Sequence, residues 1–132
     1  MAKMPKEVMD LFNDPKADKV LATADADGDP NVVPKGSTIA VDEETIAFAD
    51  IMGTKTNANL KLNKKVALVA VKASPDGPAG YQVKGTFQEF QASGPLLDNF
   101  IKIFEPMRLK PKAAGIIKVD EVYNCLPPKK IA

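Results

Sequence analysis

The chain has 132 residues and a mass of 14.2 kDa, from which we predict one domain over residues 1–132. Hydrophobic residues make up 45%, charged residues 27%, and the formal net charge is +1. This balance argues against disorder and against a polyanion-binding surface, so no nucleic-acid partner is predicted. No apolar run approaches the ~18 residues that span a bilayer, and the N-terminus lacks a signal-peptide core. We therefore expect no membrane association and a cytoplasmic location.

Two residue counts limit the chemistry. The chain has no histidine, and its one cysteine is Cys125. These counts exclude an intrachain disulfide, a cysteine-built metal site and nucleophilic catalysis through histidine. No metal site is predicted. Any catalysis would then depend on chemistry that a bound cofactor supplies.

Periodicity and turn residues predict a mainly β protein with peripheral helices. Strands are predicted at residues 19–25, 31–41, 45–50, 66–71, 81–91 and 114–119. Helices are predicted at residues 4–13, 54–60 and 96–104, and a tail at residues 121–132. The continuous apolar run at residues 66–71 predicts a central strand buried on both faces. Six strands at short spacing indicate a small antiparallel barrel.

Three positions interrupt the predicted strands. Pro34 removes a ladder donor and Gly36 permits close backbone approach, so this segment is either an edge strand with a bulge or a ligand site. The sequence leaves both interpretations open. Gly85 interrupts the strand at residues 81–91, where a bend of the barrel is favoured over a ligand contact.

Three sequence patterns are similar to ligand-binding motifs, but a structural explanation is favoured for each. Residues 25–29 resemble a calcium loop, but Gly36 takes the place of the required glutamate, so a hairpin turn is predicted. Residues 80–86 have P-loop glycine spacing without the lysine before the threonine. A group of lysines could form a polyanion patch but is more typical of a solvated helix and loop face, namely Lys55, Lys61, Lys64 and Lys65. Lys55 is the exception, because it stands beside threonines at a predicted helix start, where a phosphate would bind.

Residues 49–60 read as a strand end, a tight turn and the start of a helix. The free N–H groups of a helix start, with Thr54, Lys55 and Thr56, can bind a phosphate. Threonines are also common at helix starts for structural reasons alone. On local chemistry, the anion site and the structural alternative remain open.

Four segments, taken together, resemble the pyridoxamine 5'-phosphate oxidase-like FMN-binding split-barrel family, and within it the small bacterial FMN-binding proteins. The segments are Val33 to Thr38, Met52 to Leu60, Lys65 to Val71 and Gly80 to Gly85. The resemblance extends over roughly residues 6–125. It implies a six-stranded antiparallel split β-barrel and a homodimer that binds two FMN molecules at the subunit interface.

The resemblance also implies roles for particular residues. A phosphate loop would comprise Met52, Gly53, Thr54, Lys55 and Thr56, supported from the helix by Asn59. The wall along the isoalloxazine ring would comprise Pro34, Lys35, Gly36 and Ser37. We hypothesise that Lys35 favours the anionic reduced flavin by placing positive charge near the N1–C2 carbonyl edge. No catalytic residue is assigned.

One departure from the family affects the expected activity. The oxidases bind a phosphorylated pyridoxine with histidine and several arginines, whereas this chain has no histidine and only Arg108. Oxidation of vitamin B6 is therefore not expected. The expected functions are an FMN electron carrier or a reductase that takes electrons from a nicotinamide or deazaflavin donor. The alternative is a split-barrel binding or interaction module that does not use flavin.

Overall fold

The structure is a computed structural model that describes residues 2–132. It contains eight strands, three α-helices and one 3-10 turn. In chain order they are α1 (Lys6–Phe12), β1 (Asp18–Ala24), β2 (Pro30–Pro34), β3 (Ile39–Asp42), β4 (Thr45–Asp50), α2 (Lys55–Leu62), β5 (Lys65–Lys72), β6 (Ala79–Gln91), α3 (Pro95–Phe104), the 3-10 turn (Glu105–Met107), β7 (Ala113–Cys125) and β8 (Pro128–Lys130). The prediction of a mainly β antiparallel protein with peripheral helices is confirmed.

The strands form one antiparallel sheet with the order β2-β1-β5-β6-β7-β4-β3, and β8 pairs with β7. Its two edges, β2 and β3, follow one another in the chain. Residues 35–38 connect them and so cross the gap between the edges. A sheet that curls until its edges face one another across such a gap is a split barrel.

The curl depends on the two longest strands, β6 and β7. Their register shifts at Lys84/Gly85 and again at Phe87/Glu89, and such bulges bend a strand and increase its twist. A Cβ at Gly85 would lie 2.6 Å from the Lys118 carbonyl oxygen. Gly85 therefore allows close approach of two backbones at the bend, as predicted.

Two apolar clusters hold the elements together. The larger fills the barrel and takes Val8 and Phe12 from α1, which closes one end. The smaller lies between α3 and the outer face of β4, where Phe100 packs on Ala47 and Ala49. Both faces of β4 are consequently buried. The strand predicted to be buried on both faces was β5, and this was wrong, because the side chains on its outer face remain partly exposed.

The predicted count of six strands was also wrong, for two local reasons. The segment at residues 31–41 is two strands, because Pro34 ends β2 and Thr38 donates its N–H and its hydroxyl to the Lys35 carbonyl, at 3.1 and 2.7 Å. The predicted tail contains the end of β7 and all of β8. The end of the tail is attached to β7, because the carbonyl of the fully buried Val122 accepts the Ile131 N–H at 2.8 Å.

The helices lie close to their predicted positions. α1 is shorter than predicted at both ends, and α2 continues through Leu62. The hairpin predicted at residues 25–29 is present, with Asp25 Oδ1 accepting the N–H groups of Asp27 and Asp29 at 2.9 and 3.0 Å. Among residues 2–132, no helix has the length and apolar composition needed to cross a bilayer.

Candidate functional site

A groove of about 850 Å³ opens at the gap between the sheet edges. Its walls are the link between β2 and β3, the loop from β4 to α2, and the C-terminal half of α3 with the residues that follow. Small-molecule sites in proteins usually have volumes of roughly 300–1,000 Å³. The groove is therefore large enough for a nucleotide-sized ligand.

The groove brings together nine of the ten residues that the sequence singles out. They come from two separate segments and are Pro34, Lys35, Gly36, Ser37, Met52, Gly53, Thr54, Lys55 and Thr56. The tenth, Asn59, does not line it. Asn59 lies on the buried face of α2 and donates its amide to the Thr23 hydroxyl at 3.0 Å.

The start of α2 forms one end of the groove. Thr54 is the N-cap residue, yet its side chain makes no capping hydrogen bond. The first helical bond runs from the Ala58 N–H to the Thr54 carbonyl at 3.1 Å. Within the described chain, the N–H groups of residues 55–57 have no acceptor, as expected at an uncapped helix start. They are available to an anion.

Asn57 and Gly53 fix the loop that leads into α2. Asn57 donates its side-chain amide to Asp50 Oδ1 at 2.9 Å. Its own oxygen is buried and has no hydrogen-bond partner among residues 2–132. A Cβ at Gly53 would lie 2.7 Å from that oxygen, so a larger residue would displace Asn57 from Asp50.

The β1–β2 hairpin supports the same helix from the side. The Asn31 amide lies 3.4 Å from the Thr56 hydroxyl. Lys55 lies 4.0 Å from Asp25 while its side chain remains 59% exposed. An exposed ion pair at this distance contributes little to stability, so the Lys55 ammonium is free to turn toward a ligand.

The link between β2 and β3 forms the second wall and is hydrogen-bonded to the strand next to each edge, β1 and β4. The Lys35 N–H donates to the Lys19 carbonyl on β1 at 2.8 Å. The Ser37 hydroxyl accepts the Ala49 N–H of β4 at 2.9 Å. A Cβ at Gly36 would meet no atom within 4 Å. Packing within the chain therefore does not require glycine at this position, and Gly36 presents an open backbone surface to the groove.

Lys35 brings a positive charge into this wall. Its ammonium lies 5.5 Å from the centre of the Phe48 ring. Burial lowers the pKa of Lys35, because the charged form loses hydration, and the charge of Asp50 opposes the shift. The wall therefore holds a half-buried cation whose charge an electron-rich ligand would stabilise.

Sequence reasoning missed the third wall. The end of α3 and the following turn supply Phe100, Ile103, Phe104, Met107 and Leu109. Of the helix residues, only Leu97 and Phe100 are buried. Ile103 is 48% exposed and Met107 is 61% exposed. The sequence did contain a signal for this wall. The end of α3 and the following turn have more apolar residues than one buried face of a helix can accommodate.

The fold and groove define a split-barrel protein, and comparisons with known proteins identify its family. The family model of pyridoxamine 5'-phosphate oxidase matches residues 4–126. The chain belongs to the pyridoxamine 5'-phosphate oxidase family. It is 37% identical over 108 residues to an uncharacterised protein of Methanocaldococcus jannaschii, covering 79% of this chain and 70% of that protein.

Solved structures share the whole fold. HupZ of Group A Streptococcus is 28% identical with a TM-score of 0.81, covering 98% of this chain and 99% of that one. An FMN-binding protein from Syntrophomonas wolfei is 19% identical with a TM-score of 0.79, covering 88% and 82%. HutZ, the heme storage protein from Vibrio cholerae, is 14% identical with a TM-score of 0.66, covering 92% and 94%. The last two show the fold alone.

Asn59 and Thr23 provide a test of how α2 is held against β1. We expect Asn59→Ala and Thr23→Val each to lower the free energy of unfolding by about 1–3 kcal/mol, because each leaves a buried polar group without its partner. Urea denaturation measures both losses. The double variant should lose less free energy of unfolding than the sum of the two single losses, because it leaves no buried polar group without a partner. Strictly additive losses would contradict the bond.

Proposed function

We propose that the protein is a single-domain FMN-binding flavoprotein with a redox role, as an electron carrier or a flavin-dependent reductase. One observation carries the proposal. An uncapped helix start and an open backbone wall, 18 residues apart in sequence at Gly36 and Thr54, line the same groove. The FMN-binding protein from Syntrophomonas wolfei with the same fold supports it. A cytoplasmic location is also part of the proposal, and the free thiol of Cys125 is compatible with that reducing compartment.

The residues at the helix end fit a phosphate. Three backbone N–H groups lack acceptors within the described chain, and the positive end of the helix dipole favours negative charge there. Thr54 and Thr56 add hydroxyl donors, and Lys55 adds an ammonium with few competing contacts. In this proposal Asn57, Asp50 and Asn59 are positioning residues, which hold the loop and helix without touching the phosphate.

The residues at the link fit a flat ring. Gly36 leaves its backbone open, and Ser37 and Lys35 anchor the link so that the wall stays in place. Bound FMN would supply electron transfer in one- or two-electron steps. The chain's own part is to bind the phosphate, orient the ring, and place the Lys35 charge beside it.

Haem is the other cofactor class to weigh, since HutZ shares the fold. Proteins hold haem iron through histidine, cysteine thiolate, tyrosine, or methionine together with histidine. The chain has no histidine, and no cysteine or tyrosine is among the described residues that line the groove. Flavin is therefore the better fit to these side chains.

Vitamin B6 oxidation is not part of the proposal. The only arginine, Arg108, does not line the groove. Neighbouring Met107 and Leu109 do line it and are apolar, so this wall offers no cation for a substrate phosphate. These side chains support a flavoprotein that has another substrate or redox partner.

A homodimer is a further part of the proposal. Apolar side chains stand exposed along the groove: Met52 is 78% exposed, Ile103 48% and Met107 61%. Exposed apolar residues clustered at one site commonly mark an interface. A second copy would cover them and complete the walls around the ring.

The absorbance spectrum of the purified protein, with titration of apoprotein by FMN, tests flavin binding directly. We expect Lys55→Ala to weaken FMN binding by on the order of 1–3 kcal/mol, the value of a charge-assisted hydrogen bond. Fluorescence titration measures the change. Lys61→Ala, at the other end of α2, is the matched control and should bind as the wild type does. Unchanged affinity in Lys55→Ala would rule out the phosphate assignment. Absence of any FMN binding by wild-type protein would favour the flavin-free module.

Lys35 provides a test of the ring assignment. Its ammonium should stabilise the negative charge that the ring gains on reduction, so Lys35→Ala should lower the FMN midpoint potential. A shift of about 30 mV corresponds to ~1.4 kcal/mol for a two-electron couple. Spectroscopic redox titration measures it, with Lys61→Ala again as the control. If the potential stays at the wild-type value, Lys35 does not lie beside the ring.

The dimer has its own test. Light scattering at micromolar concentration should give twice the 14.2 kDa of one chain. Ile103→Glu should shift the protein toward the monomer, because a charge cannot be buried in an apolar interface without a partner. Leu126→Glu changes an exposed apolar residue outside the groove, 59% exposed against 48% for Ile103, and should leave the dimer intact. A wild-type monomer would contradict the interface.

A further inference from the structure

Lys19 is a buried lysine that neither the sequence nor the proposed flavin site explains. It is the second residue of β1, on the same face of the strand as the buried Leu21 and Thr23. Only 5% of the residue is exposed. It nevertheless lines the groove, so the part that remains exposed faces the ligand space.

The ammonium of Lys19 has no partner in residues 2–132. No hydrogen bond or ion pair reaches it. The charge of Asp14 acts on Lys19, but the Asp14 carboxylate is bound by the Lys72 ammonium at 2.5 Å and by the Lys16 N–H at 2.8 Å. Burial therefore lowers the pKa of Lys19, with the charge of Asp14 opposing the shift. The Lys19 ammonium is thus a largely dehydrated cation that no group of residues 2–132 pairs with. Such a cation destabilises the fold, and an anionic ligand would reduce that cost.

Lys19 lies away from the proposed phosphate end. The start of α2 meets the β1–β2 hairpin near Thr23, through Asn59 and Thr56. Lys19 is four residues further along β1, or roughly 13 Å at the usual rise of a strand. Its carbonyl accepts the Lys35 N–H, which places it beside the link between β2 and β3. The anion that meets Lys19 is thus not the one held by α2.

We propose that Lys19 binds the carboxylate of a small organic acid that enters the groove, and so determines specificity for acidic ligands. A single ammonium suits a monoanion, whereas phosphate is usually bound by several donors. The neighbouring Asn13 does not compete, because its amide is used by the backbone of Ala40 at 2.8 and 3.2 Å. On the adjacent strand, Val33 shares the face of Lys19 and is apolar. Lys35 lies opposite Lys19, but its ammonium is 5.5 Å from the centre of the Phe48 ring. An acid with an apolar body matches this surface.

The acid's place beside a flavin rests on the proposed function, while the acid subsite rests on Lys19 alone, and the experiment separates the two. Benzoate serves as the probe, and benzamide is its neutral counterpart of the same shape. Each is titrated into the full chain, with and without saturating FMN, while backbone amide NMR signals are followed. The variants are Lys19→Met, which keeps length and removes charge, Lys19→Arg, which keeps charge, and Lys61→Met as an exposed control. FMN affinity of each variant is measured in parallel by fluorescence.

We expect saturable benzoate binding with shifts centred on residues 17–21, and roughly ten- to hundredfold weaker binding in Lys19→Met, the range for a lost charged hydrogen bond. Lys19→Arg and Lys61→Met should retain benzoate binding. The affinity for benzamide should be the same in Lys19→Met and in the wild type. FMN affinity should stay unchanged in Lys19→Met, which should fold at least as stably as the wild type.

Three results would overturn the proposal. They are no saturable benzoate binding by the wild type, equal benzoate affinity in wild type and Lys19→Met, and a loss in Lys19→Met of FMN affinity instead of benzoate affinity. The last result would make Lys19 a flavin residue. If FMN fails to bind at all while benzoate binding still depends on Lys19, the proposed function fails and the acid subsite stands.

Discussion

The gap between β2 and β3 is the constraint on which the rest of the structure depends. These strands are consecutive in the chain but lie at opposite edges of the sheet, so the four residues between them must cross from edge to edge. Thr38 and Ser37 hold that crossing with side-chain hydrogen bonds to the Lys35 carbonyl and the Ala49 N–H. Because the crossing is fixed, the barrel stays open there and forms the groove.

The open groove leaves polar groups without partners in the chain itself. The first N–H groups of α2, the buried oxygen of Asn57 and the ammonium of Lys19 all lie at or near it within the described residues. Each such group destabilises an isolated fold. The two apolar clusters offset this, since one fills the barrel and the other fastens α3 to β4. Binding capacity is thus concentrated at the gap, and stability is supplied away from it.

The same fold occurs in proteins named for FMN binding and for heme storage. The fold provides the groove, and the side chains that line it choose the ligand. In this chain the lining residues include lysines, threonines and an open glycine, with no histidine anywhere in the sequence. That set is suited to anions and flat rings, which is the basis of the flavin proposal and of the acid subsite at Lys19.

The sequence by itself determined the fold class, the positions of the helices and the two segments that line the groove. Those properties depend on local patterns: alternating apolar residues, glycines and prolines at turns, and threonines before a helix. Only the tertiary structure decided that residues 31–41 divide into two edge strands and that β4 rather than β5 is buried on both faces. It also decided that Asn59 ties α2 to Thr23 on β1. It alone also placed Lys19 and the end of α3 at the groove. A residue's burial and partners depend on which distant segments pack against it, and Lys19 at the start of a strand gives no local sign that its charge faces inward.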